Sequence, residues 1–263
     1  MHDAIFLPIQ HAQRVAGILP DLYWISSLTD DDLRCCWEFR RNFMGLKPHI
    51  DPKQDWEKYR RWVRTADLAW LPVDRKRALR STFFYKVETV EHEQKRCVLI
   101  WPEYSYTRPD SRKSAGIGIG FVASLLLAAV RAPLAPQYIV GTGYVPSYLA
   151  LCHAFDSVFL SEDPAMTEWE RSLYRSLVQA TPGYDRTTGV VEMGTIPIHP
   201  RTTPPSDPTL HHAWCRYLAQ NPHWTNGYTC MLFARVTGRV LIATAQRLAA
   251  RARLHLGFPN SSV

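Results

Sequence analysis

Between Val98 and Cys152 the chain sets a strand-like apolar run, a basic loop, alternating glycines and a helical pattern in direct succession. The loop is Thr107-Arg108-Pro109-Asp110-Ser111-Arg112-Lys113-Ser114, and Gly116-Ile117-Gly118-Ile119-Gly120 follows within two residues. Glycines at such a turn let backbone N–H groups approach an anion, and a helix N-terminus adds the positive end of its dipole. Arg112 and Lys113 would assist by charge, so the segment is a candidate phosphate cradle. Its spacing is neither GxGxxG nor GxxxxGK[ST], the dinucleotide and P-loop fingerprints. Small residues at alternate positions also suit close packing of a helix on a sheet, and spacing alone leaves both uses open.

Other reactive side chains form weaker patterns. Cys152 and His153 are consecutive, and consecutive helical residues diverge, so they do not make a nucleophile–base dyad. His211-His212 with Cys215 lacks a second ligand pair, and no metal is expected. The six cysteines, at 35, 36, 97, 152, 215 and 230, contain no CxxC and suit free thiols in a reducing compartment.

The elements that must position these residues are legible from periodicity. Leu22-Tyr23-Trp24-Ile25 reads as a short strand. Thr29 followed by Asp30, Asp31 and Asp32 reads as a capped helix start, with Leu33, Cys36, Trp37, Phe43 and Met44 behind it at helical spacing. Asp51-Pro52 opens a second helix with Trp56, Tyr59, Trp62 and Val63 on one face. The three tryptophans 37, 56 and 62 suit either helix-on-sheet packing or the lining of a substrate pocket. Strand-like runs follow at 68–73, 82–89 and 97–106; the last is nearly continuous in apolar residues and predicts a central strand. The glycines run into a helix over 121–130. A strand over 137–142, a short helix from Pro146, a helix over 167–179 and a strand over 189–198 come next. Beyond the proline-rich stretch lie a helix over 208–219, a strand over 228–234 and a basic helix over 239–254. This order predicts a mixed α/β domain with a single central sheet.

Composition bounds the function classes. The chain has 263 residues, 46% apolar and 21% charged, which excludes wholesale disorder and is enough for a large core. The formal net charge is +7, and after Asp207 the chain has no acidic residue but carries Arg216, Arg235, Arg239, Arg247, Arg251 and Arg253. That asymmetry fits an anionic partner, either an acyl carrier protein or an anionic membrane surface, and equally fits a solvated arginine-rich helix. Nucleic acid is a poorer fit, because no reader motif accompanies the charge. The first residues lack a basic n-region and a long apolar core, so a cytoplasmic protein is expected. The uncharged stretch 115–130 is shorter than the ~20 residues a membrane span needs.

The segment Pro109-Asp110-Ser111-Arg112-Lys113-Ser114-Ala115-Gly116-Ile117-Gly118 resembles the acyl-CoA signature [R/Q]xxGx[G/A] of the GNAT superfamily of N-acetyltransferases. Counted from Arg112, Ala115 and Ile117 take the small positions; counted from Lys113, Gly116 and Gly118 do. Two helices and antiparallel strands before the signature, and a strand and helix after it, match the family's order over roughly residues 22–198. The resemblance implies a GNAT-like α+β fold with a mostly antiparallel sheet flanked by helices. It also implies direct transfer of an acyl group from acetyl-CoA, a longer acyl-CoA or an acyl-carrier thioester to an amine of a small molecule or peptide, without a metal. Glu103 would be the general base, in an aromatic, partly dry setting that raises its pKa, unless it is merely a solvent-facing Glu at the Pro102 kink. Tyr148 would be the general acid, unless it only packs. Arg112, Lys113, Ala115, Gly116, Ile117 and Gly118 would hold the CoA phosphates, and Tyr106 with the neighbouring backbone the pantetheine arm.

The expected division is a core over 1–198, a linker over 199–208 and a basic extension over 209–263 packing on the core. The alternative function is a non-catalytic α/β module that engages an anionic partner through its arginine-rich end. A homodimer is left open.

Overall fold

A computed structural model of the chain describes residues 21–108, 118–198, 200, 203–239 and 242. Eleven strands and six helices occur among them. In chain order these are β1 (Leu22–Trp24), α1 (Asp30–Arg41), β2 (Met44–Leu46), α2 (Pro52–Val63), β3 (Leu68–Trp70), β4 (Ser81–His92), β5 (Lys95–Thr107), α3 (Gly118–Arg131), β6 (Gln137–Gly143) and α4 (Val145–Ala154). They continue as β7 (Val158–Phe159), α5 (Glu168–Ala180), β8 (Tyr184–Asp185), β9 (Val190–Glu192), β10 (Thr195–Pro197), α6 (Pro208–Gln220) and β11 (Tyr228–Val236).

Local chemistry explains the helix starts. Thr29 accepts from the Asp32 N–H while Asp32 reaches back to Thr29, a reciprocal capping box; Thr167 and Glu170 repeat it at α5. Asp51 and Asp207 cap α2 and α6, each ahead of a proline.

The fold is mixed α/β with one large, mostly antiparallel sheet in the order β1-β3-β4-β5-β6-β11-β9-β8, with β7 also on β11. β5 is central, as its continuous apolar run predicts, and pairs with β6 in parallel through the α3 crossover. The helices divide between its faces. α3, α4 and α6 cover one face through Phe121, Leu125, Tyr148, Leu149, Trp214 and Tyr217. α1 and α2 cover the other face through Leu33, Trp37, Phe39, Tyr59 and Val63, and α5 joins them there through Leu173, Tyr174 and Val178.

One expectation changes. The strand expected over 189–198 breaks at Met193-Gly194, where the Met193 N–H turns to Gly227 and the Gly194 carbonyl to Lys47. β9 stays in the main sheet, whereas β10 leaves to pair with β2 in a separate two-stranded ribbon. Beyond the proline-rich stretch the chain returns to the main sheet. β11 pairs with β6 along Val236↔Gln137 to Cys230↔Gly143 and with β9 on its other side, so the chain beyond the proline-rich stretch supplies an interior strand. Among the described residues no helix is long and apolar enough to cross a membrane.

Gly120, the third of the alternating glycines, serves packing. A Cβ there would lie 2.7 Å from Tyr85 Cε2 and 2.8 Å from Trp70 Cβ, so α3 seats on β3 and β4 at that point. Gly→Ala inside a helix ordinarily stabilises by about 1 kcal/mol. At Gly120 the sign is expected to reverse, with Gly120→Ala costing about 1–3 kcal/mol from overpacking. Urea unfolding measures it; a gain in stability would mean that α3 does not rest on the sheet there.

Candidate functional site

The parallel pairing of β5 and β6 covers Val98↔Gln137 to Ile100↔Ile139, and among the described residues no pair joins them beyond it. β5 continues with β4, but its register shifts: Thr82 faces Tyr106 and Phe84 faces Glu103. Two residues, Tyr104 and Ser105, therefore oppose Phe83, which is a β-bulge, and Tyr104 takes the left-handed φ of 48°. A bulge bends its strand and adds twist. Here it lies just past the last β5–β6 pair, where the two strands part.

Glu103 sits at that point. Its Oε1 lies 3.6 Å from where a Cβ of Gly141 would be, so the carboxyl lies against the backbone of β6. Removal from water pushes its pKa up to about 7, against the opposing pull of the Thr142 N–H and the Lys58 charge on α2. A carboxyl with that value exchanges protons near neutrality and suits a general base.

Behind Glu103 the bulge is tied to α1 and α2. Arg40, 4% exposed, makes a two-pronged contact with Asp55 (Nη1 to Oδ2 2.8 Å, Nη2 to Oδ1 3.1 Å), and Trp37 Nε1 donates to the same carboxylate at 2.7 Å. The Arg40 guanidinium lies 5.3 Å from the centre of the Tyr104 ring. That ring packs edge-on against Tyr59 at 4.6 Å and Trp62 at 5.4 Å.

The sequence candidates separate in space. Tyr106 on β5 turns its side chain to α1, stacking on Phe43 at 6.1 Å, and the nearby Arg40 charge opposes the upward pull of burial on its pKa. Gly118 opens α3, so the helix N-terminus begins directly after the basic loop. Arg112, Lys113, Ala115, Gly116 and Ile117 lie outside the described residues. Tyr148 is not brought to Glu103: it is 1% exposed, Cys152 lies close to its hydroxyl, and its ring lies 5.6 Å from Tyr217.

A second tyrosine, Tyr144, lies four residues earlier, at the N-cap of α4 directly after β6. It is half-buried, its hydroxyl donates to the Thr195 carbonyl at 3.0 Å, and its pKa is raised by burial and by the nearby Tyr106. The sequence signal for it was the strand end itself, Gly143-Tyr144. Trp37 and Trp56 meet edge-on at 5.9 Å, packing α1 against α2.

Cys152 bonds Tyr148 and not His153, and His211, His212 and Cys215 are exposed. No group of three or more His, Cys, Asp or Glu able to hold a metal occurs among the described residues. Of the six arginines after Asp207, Arg216 pairs with Asp163 at 2.8 Å, Arg235 with Glu170 at 2.6 Å and Arg239 with Asp156 at 3.6 Å. Arg247, Arg251 and Arg253 lie outside the described residues.

No family model matches the chain, and no curated protein does. Among solved structures it is similar to a conserved protein of unknown function from Enterococcus faecalis V583, described as a "Probable N-Acyltransferase". The TM-score is 0.35 at 12% identity, over 48% of this chain and 30% of that one. This chain thus corresponds to under a third of that protein's length.

Proposed function

We propose that this chain is an N-acyltransferase that moves an acyl group from an acyl-CoA or acyl-carrier thioester to an amine. The observation that carries the reading is Glu103, a carboxyl with a pKa of about 7 set where two parallel strands part. The donor's pantetheine arm would lie between the parted strands, with its phosphates at the N-terminus of α3 and the basic loop around Arg112 and Lys113. The amine attacks the thioester carbonyl, the C–N bond forms, and the C–S bond breaks. Glu103 takes the proton from the attacking amine, directly or through water. Tyr144 returns one to the leaving thiolate.

Native mass spectrometry with acetyl-, octanoyl- and palmitoyl-CoA, followed by thiol release on addition of an amine panel, tests the reading. A one-to-one donor complex and amine-dependent release of free CoA are expected. Absence of both, also with acyl carrier thioesters, would overturn it. The two tyrosines give a sharper test. Tyr144→Phe is expected to lower kcat by about 10²-fold, the lower end of general-acid effects, and Tyr148→Phe to leave it within about threefold. The reverse ordering, in kinetics on folded variants, would move the acid to Tyr148.

A further inference from the structure

We propose that Arg40 and Asp55 are positioning residues for Glu103, acting through the aromatic rings on either side of the β5 bulge. The proposal rests on Glu103 as the base of the reading above, but its primary measurement does not depend on the reaction. A left-handed φ at a residue with a bulky side chain is strained and persists only where the surroundings over-determine it. At Tyr104 they do: Tyr59 and Trp62 grip the ring edge-on and the Arg40 guanidinium lies beside it. Two residues on, Tyr106 is stacked on Phe43 and feels the charge of the same guanidinium. Both side chains flanking Ser105 thus lie near one buried cation.

That cation is itself held rigidly. Asp55 binds it with two parallel hydrogen bonds, and the Trp37 indole takes up a further lone pair of the carboxylate. A lysine would present a point charge without this planar fork. The pair couples the last turn of α1 and the first turn of α2 to the one segment of β5 that cannot continue a regular ladder. If the anchor is lost, the bulge can relax, β5 can approach β6, and the Glu103 carboxyl changes its hydration. Glu103 is faced by Lys58 from α2, by Tyr104 and Tyr106 from β5 and by the Thr142 N–H from β6, with Tyr144 beyond Tyr106. None of these is altered directly when Arg40 and Asp55 are replaced together, so a moved titration reports on geometry.

The test is ¹³C NMR titration of glutamate carboxyls in the full chain, with the Glu103 signal assigned from Glu103→Gln. Arg40→Leu/Asp55→Leu, which leaves no lone buried charge, is expected to lower the Glu103 midpoint by about one pH unit or more toward the ordinary range. The acid limb of kcat/KM is expected to move with it. Tyr106→Phe removes one hydroxyl from a ring that stays stacked, and it serves if the double variant does not fold; a smaller shift in the same direction is expected. An unchanged Glu103 midpoint in a folded variant would overturn the proposal and reduce the pair to a structural role, whatever the thermal stability does. A moved midpoint in a protein that transfers no acyl group would retain the positioning and overturn the transferase reading.

Discussion

Replacing Glu103 by Gln is expected to cut acyl transfer by about 10²- to 10⁴-fold, the range for losing a general base, and at the same time to stabilise the fold above neutral pH. The two effects share one cause. The ordinary value for a glutamic acid is 4.5, and burial raises Glu103 to about 7. The unfolded chain therefore releases this proton at lower pH than the folded one. As pH rises from 4.5 to 7 the unfolded state is progressively favoured, and above 7 the full cost is present, on the order of 3 kcal/mol from a shift of that size. Gln carries no charge to desolvate and its side-chain oxygen can still accept from Thr142. The variant should melt several degrees higher than the parent at pH 8, and the difference should vanish at pH 4, where both states of the parent hold the proton. Calorimetry at the two pH values checks the first effect, and single-turnover kinetics the second. Equal melting at pH 8 would mean that the carboxyl is hydrated. Undiminished transfer in a folded variant would remove Glu103 from the reaction.

Asp55→Ala should be among the most destabilising single substitutions in the chain, at about 3–5 kcal/mol, because it strands the Arg40 guanidinium without a counter-charge. Arg40 is 4% exposed, and among the described residues its Nε has no hydrogen-bond partner, so the guanidinium is under-satisfied even before the carboxylate is lost. The Trp37 indole loses its acceptor in the same step. Removing both charges differs in kind from removing one. Arg40→Leu/Asp55→Leu gives up the attraction but also the desolvation of two ions, and it is expected to recover most of the loss. Denaturant unfolding of the two single variants and the double variant forms a thermodynamic cycle. A double variant as unstable as the sum of the singles would show that the two charges do not act as a pair.

Much of the framework follows from short-range signals. Thr29 with three aspartates, Asp51-Pro52, Thr167 with Glu170 and Asp207-Pro208 each carry a helix start within four residues, because capping is a local hydrogen bond. The apolar run at 98–101 identifies a strand buried on both faces for a similar reason, since burial acts on each side chain where it stands. Glu103 was also legible, as a carboxyl among Trp101, Pro102 and Tyr104 that would be drawn partly out of water.

Tertiary structure decided what depends on partners distant in the chain. Nothing near Arg40 specifies Asp55, fifteen residues on, or the Tyr104 ring beside it. The bulge at Tyr104 exists only as a mismatch between β4 and β5, and a register is a property of two strands. Tyr144 and Tyr148 lie one helical turn apart in the sequence. α4 leans on α6, and that packing sends Tyr148 to Tyr217, whereas Tyr144 bonds the Thr195 carbonyl with Tyr106 nearby. The end of the chain makes the same point. Its apolar residues mark a strand at 228–234, but the place of β11 between β6 and β9 comes from hydrogen bonds spanning up to about a hundred residues, which no local pattern encodes.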